Sequence, residues 1–356
     1  MNKEDHEAFE RLVRRVGTRP HRSEEPDGPE GQGGDAEGDN AGTGGAPSHR
    51  LFSPVQLAGS LKGLNEETKE VLRALQVSGA IRRLTLVPDR FRDICSELAQ
   101  DFPNFEGYIN EYLLPFLALG HVRRGPFYVP PSVFVGPPGV GKTLFVSALA
   151  ERLGLAFERI NLETAQASFE LVGTSRGWSN YQPGRLLRWF SAGSHANGIF
   201  VMEELDKAGG GDPKFAPVNA LIQLLEPTTA KLFGDQSAPE LKLDVSPVSF
   251  VFTANTLEGI SDPILSRLLA VEIPPLTPDQ AKRVAISQYQ RIVRDLELPV
   301  EAPALTDAAL ETLSEESPRR QRLLLQLAIG RAIAERAREL HVRKQAAPKS
   351  RGIGFF

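Results

Sequence analysis

The chain has a single cysteine, Cys95, among its 356 residues. No disulfide can form within it, and a small buried side chain in a reducing compartment is a better interpretation of Cys95 than a catalytic thiol. The chain also lacks an apolar run of the roughly 18 residues needed to span a bilayer. Its first residues, MNKEDH, have none of the apolar character of a signal peptide core. These absences predict a cytoplasmic protein with no membrane partner.

An excess of positive charge is absent as well. The chain has 41 Lys and Arg against 45 Asp and Glu, which gives a formal net charge of -4. The molecule as a whole therefore has no positive field for nucleic acid or anionic membranes, and such binding would need a local patch. With 41% hydrophobic residues over this length, the composition predicts about two globular domains.

The first 50 residues differ in composition from the rest. Residues 23–47 include seven acidic residues and no Lys or Arg, and such a polar, glycine-rich segment is expected to be disordered. Before it, apolar residues at helical spacing within residues 4–16 predict one short amphipathic helix. Residues 51–104 place apolar side chains three or four positions apart, which predicts a helical lead-in.

From residue 130 onward, short apolar runs alternate with helix-length segments. This alternation is typical of a parallel β-sheet with helices on both faces. Strands are predicted near residues 132–136, 156–160, 198–202, 248–253 and 269–273. Helices are predicted to begin at Lys142, near Pro183, near Lys214 and near Ser261. The predicted organisation is a tail over residues 1–50, the lead-in, an α/β core over 105–275, an all-α lid over 276–345 and a C-terminal tail over 346–356.

A phosphate-binding motif directly follows the first predicted strand. It matches the pattern G-x-x-x-x-G-K-[ST] and consists of Gly136, Pro137, Pro138, Gly139, Val140, Gly141, Lys142 and Thr143. Glycines in such a loop let backbone N–H groups surround phosphate oxygens, and the helix that follows points its positive end at them. Lys142 is expected at the β- and γ-phosphates of ATP and Thr143 at Mg²⁺. ATP and Mg²⁺ are the predicted cofactors, and the bland alternative is a Gly-Pro turn before a helix.

Two acidic residues end the third predicted strand, where a metal-orienting carboxylate and a base for water are needed. Glu203 is predicted to hold the metal through water, and Glu204 to polarise the attacking water. The alternative is a surface helix that begins with acidic residues. For Asp206 and Lys207, contact with a neighbouring subunit and a solvated surface both remain open.

Together with the phosphate-binding loop, three further stretches resemble the AAA+ ATPase module of the Lon protease family, over about residues 105–330. They are Glu203-Glu204-Leu205-Asp206-Lys207, the segment from Gly173 through Pro183-Gly184-Arg185, and Thr253-Ala254-Asn255 followed by Pro263-Ile264-Leu265-Ser266-Arg267. The resemblance implies a P-loop NTPase core with a five-stranded parallel sheet, a helical lid, and a homo-oligomeric ring for which a hexamer is expected.

The resemblance also implies roles for individual residues. Asn255 is expected to position the attacking water, and Arg267 to act as an arginine finger on the ATP of an adjacent subunit. In the lid, Arg319 is expected to reach the phosphates, with Arg320 and Arg322 as competing candidates.

A protein substrate is suggested by Trp178, which lies in the polar loop of residues 173–183. By the resemblance, this side chain is expected to grip an extended polypeptide through steric and stacking contact. The alternative is a Trp that packs down its own loop, since large aromatics are usually mostly buried.

Two features depart from the family pattern. The metal-orienting carboxylate is usually Asp, whereas Glu203 is longer by one methylene, a shift on the scale that slows catalysis strongly. ATP binding is therefore a firmer expectation than fast hydrolysis. The chain also ends at Phe356, so the Ser/Lys proteolytic domain of Lon proteases, and with it proteolysis by this chain, is not expected.

The C-terminal residues leave further alternatives open. Residues 319–351 carry ten Lys and Arg against only two Glu, so they either bind a phosphate backbone or form a solvated lid surface or intersubunit face. The apolar Ile353-Gly354-Phe355-Phe356 either docks on a partner or packs on the lid.

The leading hypothesis is an oligomeric AAA+ ATPase that remodels or unfolds proteins without its own peptidase. A nucleotide-gated, DNA-associated loader and a slowly hydrolysing ATP-switched scaffold remain as alternatives.

Overall fold

The computed structural model describes residues 47–163, 167–208, 218–296 and 302–343. The predicted acidic tail and short helix, the start of the helix near Lys214 and the apolar residues 353–356 lie outside the described residues. Among the helices that the structure describes, none is long and apolar enough to cross a membrane.

Strands and helices alternate through the middle of the chain. The strands are β1 (Ser48–Arg50), β2 (Ile81–Arg83), β3 (Ser132–Val135), β4 (Ala156–Asn161), β5 (Gly198–Glu203), β6 (Ser249–Ala254) and β7 (Leu269–Glu272). The helices up to β5 are α1 (Pro54–Ser60), α2 (Glu66–Ser78), α3 (Phe91–Asp101), α4 (Glu106–Tyr108), α5 (Leu114–Val122), α6 (Lys142–Leu153), α7 (Ala167–Val172) and α8 (Arg185–Ala192). Those after it are α9 (Val218–Leu225), α10 (Pro227–Ala230), α11 (Asp262–Leu265), α12 (Pro278–Asp295), α13 (Asp307–Ser314) and α14 (Pro318–Glu335).

The central sheet has five parallel strands in the order β4-β5-β6-β3-β7. Each strand predicted from the apolar runs agrees with an observed strand to within one residue at either end. The runs of the central strands β5 and β6 were readable because helices cover both faces of a parallel sheet and such strands are apolar. In β6, for example, all six residues are buried. The edge strand β4 is different, since only Ile160 in it is buried.

Side chains of the sheet alternate between two apolar cores. Phe200 and Phe252 pack in one core with residues of α8 and α9, whereas Phe134 and Val201 pack in the other with residues of α6. In the second core, the ring of Phe105 also stacks on Phe145, with centroids 4.1 Å apart. Because successive residues of a strand point to opposite faces, helices cover both sides of the sheet, as predicted.

Helices α12, α13 and α14 form the C-terminal helical region around a core of their own, which includes Leu313, Leu325 and Ile329. Helix α12 begins with a capping box between Thr277 and Gln280. Two side chains of α12, those of Gln280 and Ser287, tie this region back to the last residue of α3 and the segment just after it. The bonds are Gln280 Nε2 to the carbonyl of Pro103 and Ser287 Oγ to Asp101.

The lead-in is helical in α1, α2 and α3, but it also contributes β2, which pairs antiparallel with β1. Residues 51–104 are therefore not helical throughout. Three-residue strands are too short to show an alternating pattern, and their partner lies some thirty residues away. Arg82 in β2 is 2% exposed and donates hydrogen bonds to the carbonyls of Ser78 and Phe190, which anchors the small sheet to the core.

A buried carboxyl group holds a loop of the core in place. Asp235 is 2% exposed and accepts hydrogen bonds from the N–H of Gly184 (2.8 Å) and from the N–H and hydroxyl of Ser237 (2.9 and 2.6 Å). Burial raises the pKa of Asp235 to about 6, although these hydrogen bonds oppose the shift.

Replacing Asp235 with Asn should change the pH dependence of stability. The pKa of Asp235 is raised in the folded state from its ordinary value of 3.8. The protonated Asp235 therefore contributes its full stabilisation below pH 3.8, and this contribution is lost as pH rises through about 6. Urea unfolding from about pH 4 to about pH 7 should show the wild type losing stability relative to Asp235→Asn. A difference in unfolding free energy that stays constant over this range would contradict the argument.

Candidate functional site

The phosphate-binding loop joins β3 to α6, as its motif predicts. Gly139 (φ 86°) and Gly141 (φ 99°) lie in the left-handed region of backbone space, which residues with a Cβ rarely adopt. Gly136 is required for another reason, since a Cβ there would overlap the carbonyl of Ile273 that follows β7. The turn therefore depends on glycine at three positions, and it leaves the first turn of α6 facing the loop.

Lys142 begins helix α6 and reaches across the loop. Its Nζ lies 2.5 Å from the carbonyl oxygen of Gly136, 3.1 Å from that of Pro137 and 3.4 Å from Oδ1 of Asn255. Burial lowers the pKa of the ammonium group, while the carboxylate of Asp206 opposes this effect. Lys142 thus presents a partly desolvated ammonium group beside the end of β6.

The carboxylate of Glu203 lies against the hydroxyl of Thr143. Thr143 Oγ1 donates to Glu203 Oε1 at 2.5 Å, while Glu203 Oε2 accepts from Nη2 of Arg159 at 2.7 Å. A hydroxyl and a carboxylate oxygen side by side are the hard donors that Mg²⁺ prefers, so these two residues fit a shared metal. Among the residues that the structure describes, no group of three or more His, Cys, Asp or Glu could hold a metal.

Glu204 has an unusual backbone conformation directly after β5. Its φ of 62° and ψ of 46° are left-handed, a costly conformation for a non-glycine residue that often marks a functional site. Lys207 Nζ lies 3.3 Å from the Glu204 carboxylate and 3.1 Å from that of Glu163. The neighbouring Glu163 carboxyl, and to a lesser degree burial, raises the pKa of Glu204. The Glu204 carboxylate is thereby made a better proton acceptor than an isolated one.

Asn255 follows β6 and is held by a residue whose role was left open by the sequence. Asp206 Oδ2 accepts a hydrogen bond from the backbone N–H of Asn255 at 3.1 Å. Asp206 is therefore neither a purely solvated residue nor free to serve only a neighbouring subunit. In the sequence, this contact was signalled only by the position of Asp206 three residues after Glu203, which puts it at the same edge of the sheet as Asn255.

One cleft of about 620 Å³ brings most of these side chains together. Its walls include the phosphate-binding loop from Pro138 to Thr143 except Val140, the two acidic residues Glu203 and Glu204 at the end of β5, and Asn255. From the helical region, the lining residues are Gln288, Arg291, Ile292, Asp295, Pro318, Arg319 and Arg322. Gly139 and Ser317 also lie close together, because a Cβ on Gly139 would be 3.5 Å from the Ser317 side chain. The N-terminus of α14 thus covers the loop.

Of the three lid arginines that competed for the phosphates, the structure places Arg319 and Arg322 in the cleft wall and Arg320 outside it. Arg319 and Arg322 are about one turn apart on α14, so their side chains share a face of the helix. Arg159 and Arg291 also line the cleft, and neither was proposed from the sequence. Isolated arginines within a strand and a long helix carry no motif, so only their position in the fold identifies them.

Arg267 lies away from this cleft, just beyond α11. Its Nε contacts Glu226 Oε2 at 3.2 Å and its Nη1 donates to the carbonyl of Pro263 at 2.8 Å. It is not among the residues that line the cleft. Within this chain, Arg267 is therefore not part of the cleft wall.

Trp178 is 59% exposed on its loop. Its ring makes an edge contact with that of Phe169, with the two centroids 6.5 Å apart. A Trp that mainly packs down its own loop is therefore not what the structure contains. The two ends of the loop meet at Gly173 and Gly184, where a Cβ on either residue would overlap backbone atoms.

Replacing Gly136 with Ala should disrupt the phosphate-binding loop. The added Cβ must push the loop away from the backbone at Ile273, so we expect a loss of about 1–3 kcal/mol of stability and a large loss of nucleotide affinity. Urea unfolding and titration with a fluorescent ATP analogue would measure the two effects. Gly107→Ala is the matched control, because a Cβ there meets no atom within 4 Å, and equal behaviour of both variants would contradict the assignment.

Comparison with known proteins agrees with this geometry. The family model for the ATPase family associated with various cellular activities (AAA) matches residues 132–275. The chain is 30% identical over 255 residues to Lon protease homolog 2, peroxisomal, of Zea mays, a match that covers 67% of this chain and 28% of the relative. It is 33% identical over 177 residues to Lon protease 2 of Herpetosiphon aurantiacus, covering 50% of this chain and 22% of the relative.

A third relative, the Lon protease of Nitrosococcus oceani, is 33% identical over 196 residues, which cover 55% of this chain and 24% of the relative. The chain thus spans less than a third of the length of these curated relatives. From the family match, the sheet topology and the shared cleft, we conclude that this chain contains an AAA ATPase domain and is homologous to Lon proteases over that region.

Proposed function

We propose that this chain binds Mg²⁺-ATP in the cleft, hydrolyses it, and works within an oligomeric ring that remodels or unfolds proteins. The observation that carries the proposal is the convergence on one cleft of the phosphate-binding loop, the two acidic residues at the end of β5, Asn255 and two lid arginines. At the family level, AAA and Lon homology supports ATP binding and hydrolysis.

The cleft residues divide into phosphate-binding and water-activating groups. Backbone N–H groups of residues 138–143 and the Nζ of Lys142 would bind the β- and γ-phosphates. Arg319 and Arg322 would approach the same phosphates from the lid, where a guanidinium stabilises charge that develops on the γ-phosphate. Mg²⁺ supplies charge neutralisation when it is bound with the nucleotide, and Thr143 and Glu203 are the residues that would hold it.

Glu204 is the proposed general base. Its carboxylate would accept a proton from the attacking water, and the raised pKa caused by Glu163 suits proton acceptance at that atom. The amide of Asn255 would orient the same water, since it lies between Lys142 and the end of β6 and its backbone is held by Asp206. The attack would proceed in line with the bond to the leaving ADP oxygen.

Arg267 is the reason for proposing that the site is completed by a second subunit. The cleft of the same chain does not include Arg267, and two hydrogen-bond acceptors hold its guanidinium next to α11. A guanidinium supplied in trans would couple hydrolysis to assembly.

A protein substrate is proposed because of the exposed Trp178. An aromatic ring held on a loop with constrained ends can press against an extended chain of any sequence, since stacking and steric contact need no particular partner. The competing DNA-loader hypothesis receives less support, because two of the basic residues on which it relied, Arg319 and Arg322, line the nucleotide cleft.

Glu204→Gln should lower the maximal ATPase rate at least about 100-fold, because the amide cannot accept the proton from water. Affinity for ATP should remain close to that of the wild type. A phosphate-release assay and a binding titration would separate the two, with the exposed α6 variant Glu151→Gln as control. If wild-type turnover were already as slow as that of Glu204→Gln, the ATP-switched scaffold would be the better hypothesis.

A mixing experiment tests the role of Arg267 in trans. Lys142→Ala and Arg267→Ala should each be inactive alone, whereas random mixed rings should recover roughly a quarter of wild-type ATPase activity, because some interfaces then combine an intact Lys142 with an intact Arg267. Subunit exchange would be verified by native mass spectrometry. No recovery in rings proven to be mixed would argue that Arg267 does not act on a neighbouring site.

A further inference from the structure

Strand register brings Arg159 of β4 to Glu203 of β5. Asn161 pairs with Glu203 and Arg159 with Val201, so Arg159 lies diagonally across from Glu203 on the same face of the sheet. Its Nη2 and Nε lie 2.7 and 3.2 Å from Glu203 Oε2. The guanidinium therefore binds one oxygen of the carboxylate through two N–H groups.

The other oxygen of the same carboxylate accepts the hydrogen bond from Thr143. The Glu203 side chain is only 18% exposed, whereas that of Arg159 is 57% exposed. A carboxylate that is largely shielded from water needs a counter-charge, and Arg159 is the cation that supplies it. The long glutamate side chain thus bridges β4 and the first turn of α6.

A divalent cation held by Thr143 and Glu203 would compete with this arrangement. Both cations would draw on the charge of one carboxylate, and the positive charges of the metal and the guanidinium repel each other. Arg159 therefore stabilises the metal-free site more than the metal-bound site. By linkage, a group that favours the metal-free form must weaken metal binding by the corresponding factor.

We propose that Arg159 is a built-in counter-cation of Glu203 that competes with the divalent metal and so limits how much Mg²⁺ strengthens nucleotide binding. This inference rests on the proposed function, because it assumes that ATP and Mg²⁺ bind in the cleft. Arg159 is then a positioning residue that acts through Glu203. Loss of Arg159 should strengthen metal binding, whereas it would weaken metal binding if Arg159 only supported the metal site.

The test compares nucleotide affinity with and without metal. The dissociation constant of a fluorescent, hydrolysis-resistant ATP analogue is measured in excess EDTA and in saturating Mg²⁺, and the ratio of the two constants is the Mg²⁺ gain. Arg159→Met keeps much of the side-chain volume but removes the charge, and its Mg²⁺ gain should be about tenfold larger than that of the wild type. Arg159→Lys keeps the charge and should remain close to the wild type.

Arg185→Met is the matched control. Arg185 is likewise partly exposed and is paired with two carboxylates, those of Glu158 and Glu170. Glu158 is the neighbour of Arg159 on β4 but points to the other face, so the Mg²⁺ gain of Arg185→Met should equal that of the wild type.

The outcomes separate this proposal from the proposed function. An unchanged or smaller Mg²⁺ gain in Arg159→Met, with normal wild-type binding, would overturn the counter-cation role alone. An equally enlarged gain in Arg185→Met would overturn it too, since the effect would then follow from general surface charge. If the wild type did not bind the analogue in EDTA or in Mg²⁺, the proposed function itself would be wrong.

Discussion

The parallel direction of the strands in the central sheet is the constraint on which the site depends. Because all five strands run in one direction, the carboxyl ends of β3, β5 and β6 lie at the same edge of the sheet. The phosphate-binding loop and Asn255 follow β3 and β6, and Glu203 is the last residue of β5. The direction of the strands therefore brings these residues together, and their side chains supply the chemistry of the site.

Close backbone packing at that edge shapes a loop that can surround a small anion. Gly136 lies against the carbonyl of Ile273, so β3 leaves the sheet directly beside the chain that follows β7. Two further glycines then turn the backbone through left-handed conformations before α6 starts. The helix N-terminus, the loop N–H groups and the lid arginines consequently meet in one cleft, which gathers positively charged groups in a chain whose net charge is negative.

The acidic side chains at the end of β5 are each matched to a cation. Glu203 is bound by Arg159, while Glu204 and Glu163 share Lys207. The pairs differ in their effect, because Arg159 neutralises a carboxylate proposed for the metal, whereas the crowding of two carboxyl groups makes Glu204 a better base. Two adjacent glutamates of the chain thereby obtain different chemical properties from different neighbours.

The sequence by itself determined the parts of this protein that are encoded locally. Short apolar runs located the strands, most clearly the central β5 and β6, whose residues are almost all buried because helices cover both faces of the sheet there. The spacing of Gly, Lys and Thr identified the phosphate-binding loop, since its backbone geometry requires those residues in that order. What only the tertiary structure decided were contacts between distant segments: the β1–β2 pairing, the hold of Asp206 on Asn255, the placement of Arg322 rather than Arg320 in the cleft, and the pairing of Arg159 with Glu203. Such contacts depend on register and helix facing, which link residues far apart in the chain and leave no local pattern to read.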